Sequence, residues 1–223
     1  MRAGVLRSLR TLYKGDTAMA TANKNLKATW VATVTNLDWP SVSSVAITDE
    51  AARVSKQKEE LTGILDEIVA MKMNVIIFQV VPCADAFYAS DLLPWSKYLT
   101  GTLGKNPGFD PLAYAIEQAH ARNIELHAWV NPYRLSMNAS DATIEELNNS
   151  SSDSPASVFK THPEWTGTAA NRFVLNPGIP EVQTWVSSIV EEIVTKYDVD
   201  AIQFDDHFYN ETASSCTVSK INA

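Results

Sequence analysis

Cysteine and histidine are scarce in this sequence, and the scarcity limits the metal chemistry that it can support. The chain has two cysteines, far apart, and four histidines, with no CxxC, HxH or HExxH pattern of the kind that binds zinc. We therefore expect no metal and no other cofactor. The group of His127, Asp205, Asp206 and His207 still includes residue types that bind metals, so a metal-dependent hydrolase is kept as the third-ranked hypothesis.

Excess positive charge is also missing. The chain has 18 Lys and Arg against 26 Asp and Glu, a net charge of -8, and no basic stripe with interleaved aromatic residues. Nucleic acid is therefore not an expected partner. Neither GxGxxG nor GxxxxGK[ST] occurs, which removes the usual signs of dinucleotide binding and of a P-loop.

Long apolar runs are absent. No segment approaches the roughly 18 apolar residues that would cross a bilayer, so no membrane span is expected. Residues 1–27 lack the apolar centre of a signal peptide, and we predict that they form a disordered leader. The sequence leaves the cellular compartment open.

What the sequence does contain is an alternation of strand-like and helix-like segments. Predicted strands cover residues 28–34, 74–81, 124–130 and 199–204, and predicted helices cover residues 56–73 and 111–123 and a segment that begins at Pro180. Such alternation predicts βαβ units and a parallel sheet, either doubly wound or closed as a (β/α)8 barrel. The missing dinucleotide fingerprint favours the barrel. Residues 135–172 are predicted to be a long functional or disordered loop.

The carboxyl ends of the predicted strands collect polar and aromatic side chains, and a barrel places its chemistry there. The last strand ends in VDAIQFDDHFY, where alternation puts Asp205 on one face with Gln203, and Asp206 on the other with Phe204. Asp205 is therefore predicted to point into the barrel mouth. The alternative is structural: Asp206 caps the next turn and Asp205 forms a salt bridge.

Paired carboxylates suit glycoside hydrolysis, because one group donates a proton to the leaving oxygen while an ionised group stabilises or attacks the anomeric carbon. Asp205 and Asp206 are adjacent, so one of them would act and the other would position it, and a second catalytic acid would come from another strand. The segment HAWVNPYR supplies His127, Trp129 and Asn131 on one predicted face; a Trp ring can stack on a sugar while His and Asn bind hydroxyl groups. A lone buried His is more often a hydrogen-bonded core residue than a ligand, which is the alternative for His127, and Arg134 could equally bind substrate or pair with the two acids.

Several long motifs, in order, resemble the family 10-like glycosyl hydrolases of bacteria: ATWVATVTNLDWPS, AHARNIELHAWVNPYR, LNPG and VDAIQFDDHFY. The resemblance covers about residues 28–210. It implies a (β/α)8 catalytic domain, O-glycosidase activity, and a polysaccharide substrate, since the family includes a cell-division-associated glycosidase of peptidoglycan strands stripped of their peptides. It also suggests a cell-envelope or secreted location. By matching positions it implies a catalytic acidic site at Asp205 and Asp206, with His127, Asn131, Tyr133 and Arg134 in the cleft around it. Gln79 and Trp129, at the ends of predicted strands, and His207, next to the two acids, complete the predicted set of substrate-binding residues.

Only four strand signals occur before residue 210, whereas a barrel has eight strands. We therefore expect a barrel truncated to about its first four βα units, with residues 211–223 as a tail. Unpaired edge strands then predict self-association. The first functional hypothesis is a glycosidase, possibly incomplete in this chain, and the second is a non-catalytic glycan-binding or assembly module.

Overall fold

The computed structural model describes residues 25–205, and these residues form an α/β fold around a four-stranded parallel sheet. The strand order is β1-β2-β3-β6, and a separate antiparallel hairpin contains β4 and β5. The strands are β1 (Ala28–Val31), β2 (Val75–Val81), β3 (Glu125–Val130), β4 (Thr166–Ala169), β5 (Arg172–Leu175) and β6 (Ala201–Phe204). The predicted α/β class and parallel sheet are confirmed.

Three long helices connect the parallel strands, and four short ones lie in the loops. The helices are α1 (Val42–Val45), α2 (Glu50–Ala70), α3 (Lys97–Thr100), α4 (Pro111–His120), α5 (Asp141–Asn148), α6 (Val158–Thr161) and α7 (Pro180–Lys196). Helices α2 and α4 begin where side chains can cap them: the carboxylate of Asp49 accepts from the Ala52 amide, and that of Asp110 from the Ala113 amide. Pro111 then occupies the first turn of α4, as predicted.

The two faces of the sheet differ in burial. In β3 the residues alternate, so that Leu126, Ala128 and Val130 are buried while His127 and Trp129 are partly exposed. The buried face joins the apolar stripes of α2, α4 and α7 in one core. We call the opposite face, which carries Trp30, His127 and Trp129, the inner face. Strand β2 is buried along its whole length, which explains its nearly continuous apolar sequence.

The segment between β3 and α7 contradicts the predicted long loop. Residues 135–172 contain α5, α6, a 3-10 turn at Pro163–Trp165 and the β4 strand of the hairpin. Helix α5 begins at the N-cap Ser140, whose hydroxyl accepts from the Thr143 amide. The prediction was wrong because the Ser- and Asn-rich composition concealed a short capped helix, and because the hairpin is stabilised by pairing with residues distant in sequence.

Other predicted elements differ only in length. The first helix begins at Glu50 rather than Lys56 and ends at Ala70, and β1 ends at Val31 where a 3-10 turn at Val34–Asn36 begins. Most of the predicted leader and all of the tail lie outside the described residues. Within residues 25–205, no helix is long and apolar enough to cross a membrane.

Candidate active site

Asp205 lies immediately after β6, at the carboxyl end of the parallel sheet, and its side chain is only 10% exposed. Its Oδ2 accepts a hydrogen bond of 2.7 Å from Asn131 Nδ2 and one of 3.4 Å from Arg134 Nη2. Its Oδ1 is buried and has no hydrogen-bond partner between residues 25 and 205. One carboxylate oxygen is thus fixed by two donors from the β3 loop, and the other has acceptor capacity that the described residues leave unused.

Asn131 holds both the acid and the loop that reaches it. It follows β3 directly, is almost fully buried, and its backbone amide donates to the Val81 carbonyl at 2.9 Å. Its side-chain Oδ1 accepts from the Arg134 amide at 3.0 Å while its Nδ2 donates to Asp205. The side chain is therefore fully oriented, and it fixes the position of Arg134 relative to the carboxylate.

The hairpin supports the same loop. The Leu175 amide donates to the Tyr133 carbonyl at 2.7 Å, and the Leu135 amide donates to the Phe173 carbonyl at 2.9 Å, so β5 pairs with the segment that carries Arg134. Arg134 Nη1 also lies 3.7 Å from Met137 Sδ. The side chains of the Arg134–Asp205 ion pair are 15% and 10% exposed, so water screens their attraction less than that of a surface pair. The position of Arg134 is set by β5, a strand that the sequence did not predict.

Gln79 and Trp129 are register neighbours on the inner face, one row before the strand ends. The Oε1 atom of Gln79 accepts from the Thr33 and Val34 amides, at 3.0 and 2.9 Å, so half of this side chain holds the loop after β1. Gln79 Nε2 and Trp129 Nε1 are buried donors without partners within the described range. The Trp129 ring packs edge-on against Trp30, with ring centroids 4.8 Å apart. Buried unpaired donors cost free energy, which makes them candidates for binding an acceptor.

His127 and Tyr133 lie at different distances from Asp205. His127 precedes Asn131 by four residues, roughly 13 Å along the strand, and its Nε2 lies 3.6 Å from Glu125 Oε2. Tyr133 is half-buried and belongs to the same loop as Arg134. The structure therefore brings together Asn131, Arg134 and Asp205, with Tyr133 adjacent in the chain, and places His127 lower on the sheet.

Asp206 and His207, which the sequence also predicted for this site, lie outside the described residues. A second carboxyl group within the described range was missed: Asp85, four residues beyond β2, is 3% exposed. Its Oδ1 accepts from the Cys83 amide at 2.8 Å, and burial raises the pKa of this carboxyl group although a hydrogen bond with Ser96 opposes the shift. Extending the search for polar residues beyond the end of β2 would have found it.

The site has the parts for stabilising positive charge on a bound molecule. A carboxylate that is held by Arg134 and Asn131 keeps a fixed orientation, which is what electrostatic or nucleophilic catalysis requires of it. The described part of the chain contains no group of three or more His, Cys, Asp or Glu side chains suited to an ion.

Comparisons with known proteins agree on one family. The model of the glycosyl hydrolase-like 10 family matches residues 25–221. The chain is 46% identical over 194 residues to "Glycosyl hydrolase DigH" of Escherichia coli (strain K12), covering 87% of this chain and 44% of that protein. It is 45% identical over 192 residues to "Glycosyl hydrolase YngK" of Bacillus subtilis (strain 168), covering 86% of this chain and 35% of that one. The chain therefore spans less than half the length of these relatives.

Two solved structures illustrate a weaker similarity, with TM-scores below 0.5. A hypothetical protein from Ruminiclostridium thermocellum ATCC 27405 matches with a TM-score of 0.44 and 16% identity, over 66% of this chain and 69% of that chain. The alpha-galactosidase TtGalA from Thermus thermophilus matches with a TM-score of 0.41 and 19% identity, over 66% of this chain and 27% of that chain. No part of the functional interpretation depends on these two likenesses.

Proposed function

The chain belongs to the glycosyl hydrolase-like 10 family, and on that premise we propose that it acts on O-glycosidic bonds of a bacterial polysaccharide, with peptidoglycan glycan strands as the substrate. The observation that carries the proposal is Asp205, held through Oδ2 by Asn131 and Arg134 and with Oδ1 unused by the described residues. Family membership supports the reaction class. The substrate comes from the resemblance of the sequence motifs.

The proposal includes a barrel. Four parallel strands with helices against one face, and a polar inner face, suit part of a (β/α)8 barrel over residues 28–210, in which the inner face lines the interior. The position of Asp205 after a strand end supports this choice, because barrel enzymes use that end of the sheet for chemistry. Trp129, Gln79 and His127 would then line the barrel below the mouth.

In the proposed reaction, Asp205 stabilises or attacks the anomeric carbon as the glycosidic bond breaks, and a second acid donates the proton to the leaving oxygen. Arg134 and Asn131 keep the carboxylate oriented, so that little reorganisation is needed in the transition state. Tyr133 and His207 are proposed to contact the sugar, and Asp206 to position or assist Asp205.

The test is the release of reducing ends from glycan strands stripped of their peptides. We expect Asp205→Asn to lower the rate by at least about 100-fold, the usual cost of removing one preorganised group that stabilises charge in the transition state. The matched control is Asp66→Asn, because Asp66 also pairs with an arginine, Arg122, but on an exposed surface. Unchanged turnover in Asp205→Asn would contradict the assignment.

Binding separates the first hypothesis from the second. If the wild-type protein and Asp205→Asn bind the same strands equally well and neither releases reducing ends, the chain is a glycan-binding module. Loss of turnover on chelation would instead favour a metal-dependent hydrolase. Thermal melting of both variants shows whether each is folded, so that a rate difference reports on the site.

A further inference from the structure

A cavity of about 350 Å³ lies beside the Asp205 site, and Asp85, Leu135 and Met137 are among the residues that line it, whereas Asp205, Asn131 and Arg134 are not. Its wall includes Met137, whose sulfur contacts the Arg134 guanidinium. The loop after β3 therefore both lines the cavity and supplies the arginine that holds Asp205. The volume falls within the range of small-molecule sites, roughly 300–1,000 Å³. The lining combines residues from the loop after β2 with residues of α5 and the segment that precedes it.

The acidic and basic side chains that line the cavity are an ion pair, Lys97 with Glu146, and a buried acid, Asp85. Lys97 Nζ donates to Glu146 Oε2 at 2.6 Å, and both side chains keep about a third of their surface exposed. Asp85 lies deeper, at 3% exposure. An ammonium beside a carboxylate presents hydrogen-bond donors and acceptors next to each other, which is the arrangement that adjacent hydroxyl groups of a sugar can satisfy.

Part of the remaining lining is apolar, and the rest includes Ser136, Asn138 and Thr143. Leu103, Leu135 and Leu147 are almost fully buried in it, and Met137 borders the side nearest Arg134. One face of a pyranose ring consists of C–H groups, so a wall of leucine and methionine side chains suits that face while the ion pair binds hydroxyl groups at the ring edge.

Charge counting indicates which sugars fit. Two acidic side chains, Asp85 and Glu146, line the cavity against one basic side chain, Lys97. Burial raises the pKa of Asp85, which reduces the excess of negative charge in the lining without making the cavity positive. Burial raises the pKa of the Cys83 thiol, which lines the cavity, and the positive charges of Arg134 and Arg172 oppose that shift. Neither arginine side chain lines the cavity itself. The one basic side chain of the lining, Lys97, is already paired with Glu146, so a ligand carboxylate would find no unpaired base there and a neutral ligand is favoured.

We propose that this cavity is a subsite for one neutral sugar unit of the glycan, bound by the Lys97–Glu146 pair next to the Asp205 site. The inference rests on the proposed function, because it assumes a glycan substrate. It adds a specificity: at this position the protein selects an uncharged sugar such as N-acetylglucosamine over a sugar that bears a carboxylate.

Calorimetric titration tests the subsite with two probes, a neutral tetrasaccharide of β-1,4-linked N-acetylglucosamine and an acidic tetrasaccharide of galacturonate. We expect the neutral probe to bind more tightly. The double variant Lys97→Met with Glu146→Gln should weaken its binding by about tenfold, the effect of losing two hydrogen bonds. The matched control, Lys56→Met with Glu59→Gln, removes an exposed ion pair on α2 and should leave the Kd unchanged.

Equal effects of the two double variants, or tighter binding of the acidic probe, would overturn the proposal. Glu146→Gln alone keeps an amide oxygen for Lys97 and serves as the second variant if the double variant melts early. The outcome is separable from that of the proposed function, because binding is measured without turnover. If the wild-type protein releases reducing ends but the Lys97→Met, Glu146→Gln double variant binds the neutral probe as tightly as the wild type does, only the subsite proposal is overturned.

Discussion

Glu192 connects α7 to the loop that follows β2, and its removal gives the sharpest stability prediction. Its Oε2 accepts from the Tyr88 hydroxyl at 3.1 Å and from the Ser90 hydroxyl at 2.6 Å. Its Oε1 accepts from the Asp91 amide at 2.6 Å and from Lys196 Nζ at 2.9 Å. The side chain is only 7% exposed, so water cannot readily replace these four donors. Glu192→Ala should therefore destabilise the fold.

The size of the effect follows from which donors are left unpaired. Tyr88 is fully buried, and burial together with the Glu192 charge raises the pKa of its hydroxyl, so it stays a donor; leaving it unpaired costs about 1–2 kcal/mol. The Ser90 hydroxyl loses its acceptor, for about 1 kcal/mol. The Asp91 amide is near solvent, and Lys196 keeps Asp91 Oδ2 and the Ala89 carbonyl, so these two add little. The sum is about 2–3 kcal/mol.

Denaturant unfolding followed by circular dichroism measures this change, and a melting temperature lower by roughly 4–12 °C should accompany it. Glu191→Ala is the matched control, because Glu191 is the preceding residue of the same helix and is exposed. Glu192→Gln keeps one acceptor oxygen and should lose about half as much. A free energy of unfolding for Glu192→Ala within about 0.5 kcal/mol of the Glu191→Ala value would refute the reasoning.

Two further predictions concern pH and association. Burial raises the pKa of Asp85 above its usual 3.8, so the folded protein holds this proton to higher pH than the unfolded chain does, and stability is lost as the pH rises from about 4 through the folded-state pKa. Asp85→Asn has no ionisable group at this position, so its free energy of unfolding should increase relative to that of the wild type as the pH rises. A difference between the two proteins that does not change with pH would argue against the raised pKa of Asp85. Strands β1 and β6 each pair on one side only among the described residues, so sedimentation velocity should reveal association that grows with concentration, and a single monomeric species throughout would argue against it.

The sequence predicted the parallel sheet well, because its signals are local. The apolar run of β2, the alternation of β3 and the Asp110–Pro111 start of α4 each lie within a few neighbouring residues. The family resemblance was confirmed as well, and it rested on long motifs in a fixed order. The hairpin of β4 and β5 carries no such signal: each strand has four residues, and β5 is held partly by Tyr133 and Leu135 from an earlier loop.

The residues of the inner face were easier to predict than the hydrogen bonds that their side chains make. Strand alternation placed His127 and Trp129 on one face, and the register puts Gln79 beside Trp129. It could not show that the Gln79 carbonyl oxygen would be used by the Thr33 and Val34 amides, because that need arises only when the chain turns into a 3-10 helix after β1. A polar residue on the correct face can therefore divide its hydrogen bonds between fold and ligand.

Asp205 and the cavity-lining Asp85 are held by different parts of the fold. Asp205 is oriented by Asn131 and Arg134, and the Arg134 loop is held by β5. The loop after β2 that carries Asp85 is tied through Ser90 to Glu192 on α7, the helix that leads to β6. Loss of the Glu192 contacts would therefore loosen the wall of the cavity while leaving the donors of Asp205 in place. For this reason Glu192→Ala should weaken binding of the neutral tetrasaccharide more than Glu191→Ala does, even at temperatures where both variants remain folded.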